Sequence, residues 1–564
     1  NIKTYSIFTM PKEMQGGKAQ LLSLSKIVPQ LSLELLTKKV KNRTRYTWLA
    51  RKISLNKEQI EKIKKIKGIY IEEVPQRIYP NQELLSQTVG FVGVDNTGLA
   101  GLEYYFDKKL KGKSTLIKYF KDARGKLIKF REFGKEQAPV NLYLSIDKQI
   151  QAVAEKELKK TVLQYEAIKG GIGVIDASNG EILAIANYPT FDPNKIQLSA
   201  VADRKLSFVT DPFEPGSSFK IITMASALKH KMATANTHYY CERGKFQVEG
   251  HYITEADKTK KLEWLPASEI IKYSSNIGIT KIAFDLTFPR LRQTMSEFGI
   301  GEKTGIELPG ESRGIFNRKN INSPLSLSNI SFGQGVATTG IQMLSIFAAI
   351  ANEGILMPPT LIKDKNKNVK GKRIISRKTA LELIDMMTAV VEEGTGVNAK
   401  IPHFKMAGKT STAQRLQEGG GYSGYIPGFV GFPVNVKNRF VIYVYIENPK
   451  GKNYYGNIVA APLFKKVSQY ILYKNKDFSS LAMQGKHHKL HDSIKIKSAA
   501  LRLTKDKIPD FTGLDKVSAS KLAMKANISL THKGIGIVSS QKPQAGSLAQ
   551  KEAMVELIYT PPSL

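Results

Sequence analysis

The chain is short of cysteine, of acidic residues and of long apolar runs, and each shortage removes an explanation. Cys241 is its one cysteine, which excludes an internal disulfide and suits an exported protein that avoids stray oxidation. No run of about 18 apolar residues occurs, so no segment shown here has the length to span a membrane. Because the chain starts at Asn1, a leading segment such as an anchor is expected before it. Acidic residues number 49 against 85 basic ones, a formal charge of +36. Such an excess suits nucleic acid, an anionic membrane surface or a polyanionic polymer. The lysines are spread along the whole chain, however, with no arginine-rich arm and no nucleic-acid motif, so a solvated basic surface is expected and nucleic acid is not. His487, His488 and His491 lack a third ligand spacing and an acidic helper, so no metal site is expected there, and no cofactor elsewhere.

What is present is a folded, multidomain composition. At 564 residues the chain is too long for one core, and 41% hydrophobic with 24% charged residues is ordinary for globular protein. Residues 1–140 alternate basic helical stretches with strand-like runs; in 55–67 (LNKEQIEKIKKIK) Ile60, Ile63 and Ile66 share one helix face. Residues 77–107 are punctuated by glycine and read as loops joining short elements. From 141 the pattern sharpens. A capped helix is expected at 145–158, and 172–186 (IGVIDASNGEILAIA) is a hairpin turning at Asn179-Gly180. A third strand is expected at 440–446, with apolar helices at 221–228 and 342–352 between. Strands at both ends of a segment with helices inserted predict an α+β domain over 141–473. Residues 474–506 read as a basic linker. The tail, 507–564, reads as a compact unit with a helix at 515–526, a turn-rich link at 538–546 and a strand at 555–559.

The chemistry centres on Gly408-Lys409-Thr410-Ser411-Thr412-Ala413-Gln414. As a phosphate loop it fails, because the first glycine of G-x-x-x-x-G-K-[ST] would stand at His403. As the substrate strand of a serine acyltransferase it needs an S-x-x-K and an S-x-N element elsewhere. Ser-x-x-Lys recurs at Ser23, Ser54, Ser145, Ser217, Ser518 and Ser539, so the motif alone means nothing. Ser217 stands apart by its context, EPGSSFKIITM, in which Pro-Gly breaks the chain and an almost uncharged helix begins at once. A serine there meets free N–H groups and a favourable helix dipole. Lys220, one turn on, can act as a base if desolvation or a second cation such as Lys409 lowers its pKa. The bland alternative is a serine that caps and a lysine that snorkels to solvent. Ser274-Ser275-Asn276 supplies the second element, a hydroxyl to relay a proton and an amide to hold a peptide. A literal K-T-G at Lys303-Thr304-Gly305 is a decoy in a loop rich in glycine and proline, whereas FKMAGKTSTAQ alternates like a strand, with Thr410 and Thr412 on one face.

With Ser217/Lys220, Ser274/Asn276 and Lys409-Thr410 in order, the chain resembles a class B penicillin-binding protein. The likeness extends to ASNGEILAIANYPTFDPN (177–194), SFGQGVATTGIQM (331–343), EEGTG (392–396) and YYGNIVAAPLFKKV (454–467). RIYP and GFVGVDNTGLAGLE look like that family's non-catalytic pedestal, and IPDFTGLDKVSASKLAMKANI with VSSQKPQAG is similar to a PASTA module. Ser411 departs from the family, which has glycine there.

The resemblance implies an antiparallel sheet with helices on both sides, preceded by an elongated pedestal and followed by a small α+β PASTA-like domain. It implies a peptidoglycan D,D-transpeptidase of the division type, anchored on the extracytoplasmic face of the bacterial membrane and inhibited covalently by β-lactams. Its substrates would be stem peptides; its partners, a membrane-embedded glycosyltransferase and divisome proteins. Ser217 would be the nucleophile, Lys220 its base and Ser274 the relay. Backbone N–H groups of Ser217 and Thr412 would form the oxyanion hole. Lys409, Thr410 and Thr412 would hold the terminal carboxylate, and Asn276 the peptide. The alternatives are a hydrolase using the same acyl-enzyme, as in a carboxypeptidase or β-lactamase, and a silent wall-binding scaffold with Ser411 as a symptom of decay.

Overall fold

The computed structural model describes residues 2–475 and 507–560, apart from positions 15, 42, 44–45, 113–115, 122–126, 134–137, 258, 317–322, 364–368, 417–419, 452–453, 515, 527, 535–536 and 549–553. The chain divides into two compact units, Asn1–Met483 and Gln484–Leu564. The expected basic linker, with His487, His488 and His491, lies outside the described residues except at its first two positions.

In the first unit, β1 (Ile2–Thr9) is the middle strand of an antiparallel sheet, between β2 (Thr47–Ile53) and β3 (Ile69–Gln76). Helices α1 (Lys18–Ile27), α2 (Leu33–Val40) and α3 (Lys57–Lys64) cover one face, where Ile7, Leu24, Leu36, Leu49 and Ile63 are fully buried. Asn56 starts α3 with a capping box closed by Gln59. Residues 77–107 are loops joining short helices, in line with the short elements expected there, and hydrogen bonds tie them to residues 155–203. Buried Glu103 pairs with Arg77 at 2.6 Å, and the Leu85 N–H donates to Glu155 at 2.7 Å. The Gln87 amide donates to the carbonyls of Pro189 and Asp203. A hairpin of β4 (Leu116–Lys121) and β5 (Leu127–Phe133) comes next.

The expected capped helix is α4 (Lys148–Gln164), longer than predicted and capped by Asp147, not Ser145. The Ser145 hydroxyl is turned inward, donating to the carbonyls of Ile182 and Thr360. The predicted hairpin is β6 (Lys169–Asp176) and β7 (Ile182–Tyr188). Downstream lie α5 (Lys220–Lys229), a second hairpin of β8 (Lys245–Val248) and β9 (His251–Thr254), and α6 (Ala267–Tyr273). Next come α7 (Asn276–Leu286), α8 (Gly340–Ala351) and α9 (Arg377–Glu392). Then β10 (Met406–Leu416), β11 (Tyr422–Pro433), β12 (Phe440–Glu447) and α10 (Ala461–Lys474) complete the unit. The strands order β10-β11-β12-β6-β7, antiparallel throughout.

Strand β12 shows why 440–446 is apolar at every position. Phe440, Ile442, Val444 and Ile446 lie on the face covered by α4 and α10; Val441, Tyr443 and Tyr445 lie on the face covered by α8. Both faces are roofed by helices, so alternation disappears. Every residue of α8 is buried, a helix apolar all round because it lies inside the core. The sheet therefore presents one open edge that matters, β10, with the turn that leads into α5 against it.

The second unit contains α11 (Lys516–Ala526), β13 (Ser529–Gly534), β14 (Ile537–Lys542) and β15 (Met554–Thr560), ordered β13-β15-β14 around buried Phe511, Val538, Val555 and Leu557. Two expectations change here. The first half of the 538–546 link is strand, since Ser539, Ser540 and Gln541 are the polar positions of a strand whose Val538 is buried. And β13, parallel to β15, had no apolar run to announce it.

Candidate active site

Ser217 lies in a 3-10 turn, Gly216–Phe219, that runs straight into α5. Gly216 sits at φ 54°, and a Cβ on it would come 3.3 Å from Ala413 of β10, so glycine lets the turn abut the strand. The capping alternative does not hold. It is Ser218 whose hydroxyl bonds back, to the Pro215 carbonyl at 2.7 Å, while among the described residues the half-buried Ser217 hydroxyl has no hydrogen-bond partner. Nor does Lys220 snorkel: it is fully buried.

Two buried amines converge on one hydroxyl. Lys220 Nζ donates to the Ser274 carbonyl (2.5 Å), Ser274 Oγ (3.1 Å) and Asn276 Oδ1 (2.7 Å). Lys409 Nζ, also fully buried, donates to the same Ser274 Oγ (2.9 Å) and to the Thr410 carbonyl (3.2 Å). Burial pushes the Lys220 amine down to about 7, against the opposing pull of the Glu255 carboxylate. Lys409 is held well below its usual range by burial and then by Lys220. Two ammonium groups cannot both be kept charged cheaply in this volume, so the arrangement supplies a neutral amine near neutral pH. Among the described residues Lys220 Nζ forms no hydrogen bond to Ser217; the lysine is committed to Ser274 and Asn276.

Ser274 occupies the left-handed region (φ 59°, ψ 41°) at the end of α6, where a side chain costs energy. Ser275 then caps α7, accepting from the Gly278 N–H at 2.9 Å. The Asn276 amide donates to the Thr254 carbonyl at 2.8 Å.

Strand β10 is the sheet edge, and its register decides which groups face outward. Thr412 stands opposite Pro427 and Met406 opposite Pro433. Proline has no N–H to give, so these are the non-hydrogen-bonded pairs of the ladder. By alternation the N–H and C=O of Thr410 and Thr412 point to the open edge, beside the Ser217 turn. The Thr410 hydroxyl lies 3.0 Å from that of Thr395, and Thr412 Oγ1 accepts from the Gly456 N–H at 3.1 Å. Ser411 falls on the opposite face with Lys409, and both are buried. It is accommodated by Gly428, its cross-strand partner: a Cβ at 428 would come 2.6 Å from Ser411 Oγ. Beside it the buried Tyr443 hydroxyl forms no well-shaped hydrogen bond.

All seven side chains expected to share a site, Ser217, Lys220, Ser274, Asn276, Lys409, Thr410 and Thr412, are thus carried by two helix starts and one edge strand that meet. The Lys303-Thr304-Gly305 triplet is elsewhere, folded around its own Glu311. Two neighbours escaped sequence reasoning. Thr395 was visible only as a letter in EEGTG, and Glu255 carried no local signal at all.

The arrangement of a serine on a helix start, two buried lysines and a free strand edge defines a serine acyltransferase of the penicillin-binding class. A family model described as the penicillin binding protein transpeptidase domain matches residues 170–469, and one described as the penicillin-binding protein dimerisation domain matches residues 1–144. The chain belongs to the penicillin-binding protein transpeptidase family. It is similar to stage V sporulation protein D of Bacillus subtilis, 30% identical over 98% of this chain and 87% of that protein. It is also similar to the peptidoglycan D,D-transpeptidase FtsI of Escherichia coli, 31% identical over 84% of this chain and 81% of that one. Among solved structures, penicillin binding protein 3 of Mycobacterium tuberculosis complexed with aztreonam superposes with a TM-score of 0.62 at 28% identity, covering 72% of this chain and 91% of that chain.

Proposed function

We propose that the chain is a peptidoglycan D,D-transpeptidase working through a Ser217 acyl-enzyme. The observation that carries the reading is the Ser274 hydroxyl shared by two fully buried lysines beside a serine with a free hydroxyl. Ser217 Oγ attacks the penultimate D-Ala carbonyl of a stem peptide, and its proton passes to neutral Lys220. The oxyanion is met by the backbone N–H groups of Ser217 and Thr412, one at a helix start and one on the open edge. As the C–N bond breaks, Ser274 relays a proton from the lysine pair to the leaving D-Ala. An amine of a second stem peptide then attacks the ester, forms the cross-link and returns the proton to Ser217. Lys409, with the hydroxyls of Thr410 and Thr412, receives the terminal carboxylate, and Asn276 holds the peptide. A β-lactam enters the same path, its ring amide opening onto Ser217.

In this reading residues 1–140 are a pedestal, 141–473 the transpeptidase domain, 474–506 a linker and 507–564 a PASTA-like module, whose helix and three strands support that assignment. In this reading the enzyme works on the extracytoplasmic face of a bacterial membrane, and the PASTA-like tail favours wall synthesis at the septum, beside a glycosyltransferase and the division machinery. The two buried lysines that still converge on the Ser274 hydroxyl argue against a decayed scaffold. A pentapeptide ending in D-Ala-D-Ala, incubated with and without an amine acceptor, tests the reaction. D-Ala release coupled to acceptor incorporation is expected. Release to water alone would make the protein a hydrolase, and no release would leave the scaffold.

A further inference from the structure

The left-handed Ser274 turn is held from outside as well as by its own hydrogen bonds. The holder comes from the β8–β9 hairpin, 19 residues earlier in the chain by the numbering of Glu255 and Ser274. Glu255, the residue after β9, is buried, with 5% of its surface exposed. One carboxylate oxygen accepts from the Ser275 hydroxyl at 2.5 Å and from the Ile277 N–H at 3.4 Å; the other accepts from the Asn276 N–H at 2.7 Å. The adjacent Thr254 carbonyl holds the Asn276 side chain. A carboxylate taken out of water this completely is costly unless fully bonded, and here it sits at the start of α7, where the helix dipole favours it.

Its charge also has a direction. Lys220 is faced by Lys409 from β10, by Ser274 and Asn276 from the turn, and by Glu255. Among the described residues Glu255 is the carboxylate that acts on the Lys220 amine, and it opposes the effect of burial. On its far side stand Cys241, 3.6 Å from the Ser275 hydroxyl, and the Lys281–Glu242 pair, which bond each other at 2.5 Å.

We propose that Glu255 is a positioning residue for the reaction at Ser217: its buried charge locks the Ser274-Ser275-Asn276 turn under the two lysines. It touches no substrate. It acts through the base, the relay and the peptide-holding amide at once, and this rests on the acyl-enzyme reading above. A simple helix cap would need the hydrogen bonds but not the charge, and that difference is measurable.

The experiment is the rate of acylation by a fluorescent penicillin from pH 5 to 9, for the full chain and for Glu255→Gln, with thermal melts alongside. Without the carboxylate the Lys220 proton is held less tightly, so the neutral base forms at lower pH. Acylation at pH 7.5 is expected to fall about tenfold or more, while the acid limb of the profile moves down by about half a pH unit or more. A folded Glu255→Gln protein whose acid limb stays in place overturns the proposal. Should that variant not fold, Glu255→Asp decides: its charge keeps the limb in place and its shorter reach slows acylation, and a rate equal to the unaltered chain overturns the positioning role. If the unaltered chain itself takes no penicillin, it is the acyl-enzyme reading that fails.

Discussion

Two lysine-threonine triplets in this chain are nearly the same letters and do opposite things. In the loop at Lys303-Thr304-Gly305, the Thr304 N–H and hydroxyl each donate to one Glu311 oxygen at 2.6 Å, and the Gly305 N–H donates to the other at 3.1 Å. That triplet grips a carboxylate, but it is the protein's own, and Lys303 hangs in solvent. On β10 the same residue types stand on an open edge with Lys409 fully buried against Ser274. Threonine hydroxyls and backbone N–H groups bind carboxylates wherever they are presented. In the proposed reading, what makes one triplet a structural clasp and the other a substrate grip is whether the fold has already supplied the acid.

The widest separation between the two should come from their lysines. Lys409→Ala is expected to slow β-lactam acylation a hundredfold or more, about 3 kcal/mol of barrier. Lys303→Ala should stay within about twofold, and equal losses would mean the two triplets do not divide the work in this way. The buried site also has a pH signature. Acylation needs neutral Lys220, so its rate should fall as pH drops through about 7. The same burial sets a stability slope. The folded-state pKa lies below the usual 10.5, so the unfolded chain binds the extra proton between about 7 and 10.5 and this group makes stability rise with pH across that window. Denaturant midpoints for the unaltered chain and Lys220→Met, compared over that range, isolate the contribution.

Breaking the clasp should do the reverse of breaking the grip. Thr304→Ala leaves the buried Glu311 without a hydroxyl and should cost about 1–2 kcal/mol of stability in denaturant unfolding, with acylation nearly unchanged. The smallest effect belongs to Ser411. It lies on the face away from Thr410 and Thr412, so Ser411→Gly should alter acylation less than about tenfold, under about 1.4 kcal/mol. Thr412→Val, on the substrate face, should cost more. Gly428→Ala should destabilise by about 1–3 kcal/mol through its clash with Ser411 Oγ. Ser411→Gly in the same chain should recover the part due to Ser411 Oγ but not the part due to the Val444 carbonyl, as a double-mutant cycle of melts would register.

Much of this site was legible because its residues lie in local patterns. Pro-Gly before an uncharged helix marked Ser217, period-two polarity separated the strand triplet from the loop triplet, and Asn179-Gly180 marked the β6–β7 hairpin. The departures share a cause. The Lys220 amine points to Ser274 and Asn276 rather than to Ser217, the departure at Ser411 is met by a glycine across the strand, and Glu255 reaches the turn from another hairpin. Each is a contact between segments far apart in the chain, which periodicity does not register. The same holds for Ser145, whose hydroxyl serves two distant carbonyls while Asp147 takes the cap.

The central claim is that Ser217 alone carries the acyl group, served by the strand of Lys409. The direct measurement is a brief exposure of the intact chain to a β-lactam, followed by its mass and peptide mapping of the adduct. One equivalent is expected, on the peptide holding Ser217, with none on Ser217→Ala. An adduct on Ser218 or any other serine, or none on the unaltered chain, would contradict the account.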